Sequence, residues 1–238
     1  MNKIISLAIN DLRNITRDNI LKYFFFAIPI LFILLLIFML PLLIKQFLIL
    51  REYTDFVVLF FVLEIPMIIG FVVSFVMLDE KDERVFTALR VMPISLTQFL
   101  FYRLFFSIFF SFIFIFLILY FNNLYDISLI YIVLSSFLFS LITPIVILVE
   151  VSFASNKVTG FTLFKGLNFI AFIPIISFFV NLKLSWLFAI VPTFLPMQTL
   201  YLSINKVFSV WYFVTSIIYS MAIILLLSLI FKRKVYYQ

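Results

Sequence analysis

Three observations predict an all-α polytopic membrane protein with six transmembrane helices. The 238 residues are 66% hydrophobic and only 12% charged, with a mean hydropathy of +1.29. A water-soluble fold cannot hide that much apolar surface, whereas lipid solvates it directly. Six stretches reach the roughly 20 apolar residues needed to cross hydrocarbon, at about 22–44, 55–78, 99–121, 127–150, 162–181 and 207–231. The basic residues fall between these stretches or near their ends.

The first twenty residues precede the first span and are too polar to be one. Ile4, Ala8, Leu12 and Ile15 recur at helical spacing, and Asn10, Arg13 and Arg17 lie off that stripe. Such a segment suits an interfacial helix over 1–20, apolar side toward the membrane. The apolar run of span one is too long for a cleaved leader, and no small-residue cleavage site follows it.

Span two carries Glu64, the one carboxylate deep within a span. Charge at that depth is costly, so a substrate or proton site competes with a structural role beside the Pro66 kink. After it, Asp79–Arg84 is a run of six charged residues. Asp79 can cap a helix, and Glu80, Asp82 and Glu83 would place negative charge at its positive end. Val85, Leu89 and Met92 then line one face with Phe86 beside them; Lys81, Arg84 and Arg90 stay off it. Pro93 ends the pattern, and Ser95 can cap span three. A short amphipathic helix over 79–93 is expected, its apolar face a docking surface.

In spans three, four and six, Ser107/Ser111, the stripe Ser136, Ser140 and Thr143, and Ser216/Ser220 are small residues at helical spacing that let helices approach closely. Glu150, at the inner end of span four, is expected to pair with Lys157 or Lys165. The segment 182–205 is too apolar for a solvated loop, yet Pro192 and Pro196 interrupt it. It reads as one or two short re-entrant helices, covered by protein because lipid cannot satisfy irregular backbone.

With both termini in the cytoplasm, thirteen basic residues lie inside, counting Arg103 in the loop after span two, and four lie outside: Lys45, Arg51, Lys183 and Lys206. This asymmetry sets the orientation. It also accounts for the net charge of +6 without a nucleic-acid partner.

The chain has no Cys and no His, which removes thiolate chemistry, the commonest metal ligand and the usual general base. With three glycines, Gly70, Gly160 and Gly166, it has no phosphate-cradling loop, so any ATP must be bound by another chain. No nucleophile–base pair stands out, and an enzyme is not expected.

The stretch from Glu80 to Ser95 resembles the permeases of the type-two ABC exporter family. Glu80-Lys81-Asp82-Glu83 matches the family's acidic-basic-acidic run, and Phe86, Leu89, Val91, Pro93, Ile94 and Ser95 match the helix and its ending. The layout of surface helix, six spans and Pro-containing apolar loop extends the likeness over the chain. Arg84, Thr87 and Met92 depart from the family pattern.

The resemblance implies a single permease domain over 1–238, in which 79–93 is the coupling helix that docks on a separate ATPase. The ATPase-coupling residues are then Glu80, Lys81, Asp82, Glu83, Arg84, Val85, Phe86, Leu89, Arg90, Met92 and Pro93, with Glu64 a candidate on the transport path. No cofactor is expected on this chain; ATP and Mg belong to the partner. A second permease copy or close homologue, the lipid bilayer and an amphipathic or hydrophobic cargo complete the expected partners, in a bacterial cell membrane. Few charges line the spans, which argues against a small ionic cargo. The alternative is a non-transporting scaffold, or an immunity protein that sequesters a membrane-active peptide.

Overall fold

The computed structural model describes residues 2–83, 96–180 and 185–236. An amino-terminal helix, Asn2–Arg17, leads into six helices long and apolar enough to cross a membrane: Asn19–Gln46, Leu48–Asp82, Thr97–Tyr120, Leu129–Phe153, Lys157–Phe179 and Val210–Lys234. Among the described residues there is no strand. The six spans fall where the hydropathy places them.

Spans two and four are mostly buried and pack on each other at the centre of the bundle, while spans one, five and six are mostly exposed. Gly70 sets how close the central pair comes. A Cβ there would lie 2.8 Å from Val146 Cβ and 3.2 Å from the Thr143 carbonyl oxygen. Close by, the Ser111 and Thr143 hydroxyls share a hydrogen bond of 2.6 Å between spans three and four. Small-residue packing thus brings backbones together and satisfies polar groups that lipid would leave bare. Ser136 and Ser140 are also fully buried and donate to the Ile132 and Phe137 carbonyls, whereas the buried Ser216 and Ser220 hydroxyls have no partner among the described residues.

Prolines explain the irregular turns. In span one, π-helical turns at Tyr23–Ala27 and Leu35–Met39 lie just before Pro29 and Pro41. A proline cannot donate to the carbonyl four residues back, and a wider turn accommodates the break. Span one begins at a firm cap: the Asp18 side chain accepts from the Ile20 and Leu21 amides at 2.8 and 3.2 Å. Span four breaks at Leu141, three residues before Pro144.

Between spans five and six, a 3-10 helix at Trp186–Ile190 precedes an α-helix, Phe194–Ile204, whose residues are mainly buried. Neighbouring side chains satisfy its irregular backbone and its surroundings. Tyr219 donates to the Ile190 carbonyl at 2.7 Å, and Thr193 donates to the Ala171 carbonyl at 2.7 Å. The α-helix Phe194–Ile204 is covered by protein as expected, whereas Trp186–Ile190 has no buried residue, and Leu187 and Ile190 are exposed. Residues 182–184 of the expected 182–205 segment lie outside the described residues. At the same end of the bundle, Tyr125 in the loop after span three donates to Asp55. Burial, and the Asp55 carboxylate beside it, raise the proton affinity of that phenol.

Candidate functional site

Two constellations of polar side chains stand out in this apolar molecule. The first gathers at the end of span two. Span two continues through Asp82 as one helix beginning at Thr54, so Asp79 is not the N-cap of a separate helix. Its carboxylates sit at the negative end of a helix dipole, which opposes them by about 0.3–1 kcal/mol each. Two of them, Asp79 and Glu80, have specific partners. Asp79 pairs with Lys157 of span five at 2.6 Å. Lys81 donates to the Val151 and Ala154 carbonyls at the end of span four, at 3.2 and 2.8 Å.

Glu80 meets Arg103, which is not a loop residue: it lies inside span three and is 1% exposed. Its Nη1 donates to Glu80 Oε2 at 2.6 Å, and its Nη2 completes a two-pronged contact with the same carboxylate. The other edge of the guanidinium takes Asp11 of the amino-terminal helix, Nη2 to Oδ1 at 2.8 Å and Nε to Oδ2 at 3.0 Å. Tyr102 donates to Asp11 Oδ2 at 2.9 Å, and the Phe99 ring lies 4.7 Å from the guanidinium carbon. Arg supplies donors in a planar fork that fits two carboxylates at once.

One buried cation therefore ties the amino-terminal helix, the end of span two and the start of span three. Asp82 and Glu83 are exposed. Arg84, Val85, Phe86, Leu89, Arg90, Met92 and Pro93 lie outside the described residues, so the expected helix over 79–93 is described only for its first five residues.

Sequence reasoning missed this cluster. Its one sign was an acidic residue, Asp11, beside the apolar stripe of the amino-terminal helix. Asp11 and Ile15 are both buried there, Leu12 partly.

The second constellation surrounds Glu64. Span two carries Phe60 and Glu64 one turn apart, and span five sets Phe164, Lys165, Asn168, Phe169 and Phe172 against them. Together they line a groove of about 490 Å³. Asn168 Nδ2 donates to both Glu64 oxygens at 3.2 and 3.3 Å. Phe60 and Phe172 stack with ring centres 4.8 Å apart, and the Lys165 ammonium lies 4.5 Å from the Phe161 ring centre. Glu64 thus has the polar partner that its cost in a membrane requires.

Glu150 does not pair with Lys157 or Lys165. It is fully buried and accepts from Ser74 across the contact of spans two and four. Lys157 is held by Asp79 instead.

A family model described as "Fluoroquinolones export permease protein Rv2686c-like" matches residues 11–228. No curated protein and no solved structure matches the chain.

Proposed function

Since the chain belongs to the Rv2686c-like fluoroquinolone export permease family, an ABC-2 type permease family, we propose that it is the transmembrane subunit of an ATP-driven exporter for amphipathic or hydrophobic drug-like cargo. Two copies, or one copy and a close relative, form the pathway. A separate ATPase binds ATP and Mg and docks on the loop between spans two and three. Both termini lie in the cytoplasm of a bacterial cell.

The anchoring of that loop carries the reading. Asp79, Glu80 and Lys81 connect the loop's beginning to spans five, three and four, and Arg103 connects it to the amino-terminal helix. A push delivered by an ATPase at 84–95 would be passed to four elements through short charge-assisted contacts rather than lost in a loose loop. The groove at Glu64 offers a place along the spans for a flat amphipathic cargo.

The test pairs the permease with a P-loop ATPase encoded beside it. Inside-out vesicles containing both should accumulate a fluorescent fluoroquinolone when ATP is added. Val85→Asp combined with Leu89→Asp should lose both the uptake and co-purification of the ATPase, because truncating or charging a buried interface anchor costs about 2 kcal/mol or more. Uptake that ignores ATP, or a double variant that keeps its ATPase and its turnover, would remove the reading and leave a sequestering membrane protein.

A further inference from the structure

We propose that the groove between spans two and five is a binding site for a flat aromatic molecule carrying a protonated amine, and that Glu64 reads the amine. The inference rests on the export reading for its biological use, but not for its test. The groove, about 490 Å³, falls within the roughly 300–1,000 Å³ of small-molecule sites.

Its walls are the rings of Phe60, Phe164, Phe169 and Phe172. Such rings favour flat aromatic ligands by stacking, and their faces attract cations. A purely apolar compound would make no use of the Glu64 carboxylate. Among the described residues no Lys or Arg pairs with that carboxylate. Its partner is one amide, at 3.2 and 3.3 Å, whereas a carboxylate has about four lone-pair positions. The remaining capacity faces a space lined by aromatic rings.

Lys165 sharpens the choice. It lies three residues before Asn168, about 4.5 Å along the helix axis, and its ammonium leans on Phe161. A cation entering the groove is therefore drawn to the Glu64 level and away from the Lys165 level. A compound with an acid group on the Lys165 side satisfies both charges. The exposed faces of Lys165 and Phe169 leave the groove open along the side of the bundle, so a ligand dissolved in the bilayer can reach it.

The experiment uses the full-length permease in lipid nanodiscs, without an ATPase, and two fluorescent probes. Norfloxacin has a protonated amine; N-acetylated norfloxacin keeps the aromatic core and loses that charge. The parent protein should bind norfloxacin roughly tenfold tighter than the acetylated form, the order expected of a half-buried charge pair. Glu64→Gln, which can keep a hydrogen bond to Asn168, should reduce norfloxacin to the affinity of the acetylated probe. Glu64→Asp should retain part of the preference, and Phe60→Ala should weaken both probes alike. If Glu64→Gln preserves the preference, or lowers both affinities equally, the assignment of Glu64 is wrong. Failure of ATP-driven uptake in vesicles would overturn the export reading and leave this binding result unaffected.

Discussion

At Gly70 a single methyl group decides how the central spans pack. The nearest atoms to an added Cβ are the Val146 Cβ, which has no freedom to swing away, and a backbone carbonyl. At Gly160 the nearest atom is the Leu78 Cδ1 at 2.6 Å, the far end of a flexible side chain. Gly70→Ala should therefore destabilise the bundle by about 1–3 kcal/mol, as overpacking does. Gly160→Ala should be close to neutral, since rotation of Leu78 relieves the contact and alanine suits a helix better than glycine. Thermal unfolding of both variants in one detergent checks the pair, and equal midpoints would contradict the close approach. Nothing in the sequence separates these two glycines. The difference arises from which neighbour the fold brings up, and Val146 is 76 residues away along the chain.

The elements around Arg103 show the same limit at larger scale. Helix positions were legible because hydropathy is a property of composition over about 20 residues. The end of span two was not, because local capping rules favour a new helix at Asp79. The contacts with Lys157 and Arg103 extend the old one instead. Likewise Arg103 reads as a loop cation until two carboxylates, 92 and 23 residues away, are brought to it. Glu64 could be singled out by its cost, but its partner Asn168 is 104 residues distant. Removing the guanidinium by Arg103→Ala would leave Asp11 and Glu80 facing each other in a buried site. The expected loss is about 3–5 kcal/mol, and the amino-terminal helix should detach. Trypsin should then cut faster after Arg13 and Arg17. An unchanged melting temperature and digestion rate would show that the helix is held by other contacts.

For the whole molecule, the proposed topology of six crossings, oriented by the asymmetry of basic residues, puts both ends on one side of the membrane. Moving Arg103 into span three removes one residue from the loop count without changing its direction. The native chain contains no Cys, so a single thiol reports without background. Asn123 is exposed in the connection between spans three and four. Asn123→Cys should react with a membrane-impermeant maleimide on intact cells, while a reporter fused after Gln238 should be active only in the cytoplasm. Labelling of residue 123 only after permeabilisation would invert the assignment.

The Asp11–Arg103–Glu80 cluster also imposes an order on biogenesis. Both acids leave the ribosome before the arginine that binds them. A nascent chain that has completed its first two spans carries two carboxylates destined for one site, with no cation yet to bring them together. The amino-terminal helix cannot take its final seat until the third span has entered the membrane. The arrival of residue 103 thus completes the latch: a chain that ends before it lacks the guanidinium that joins Asp11 to Glu80.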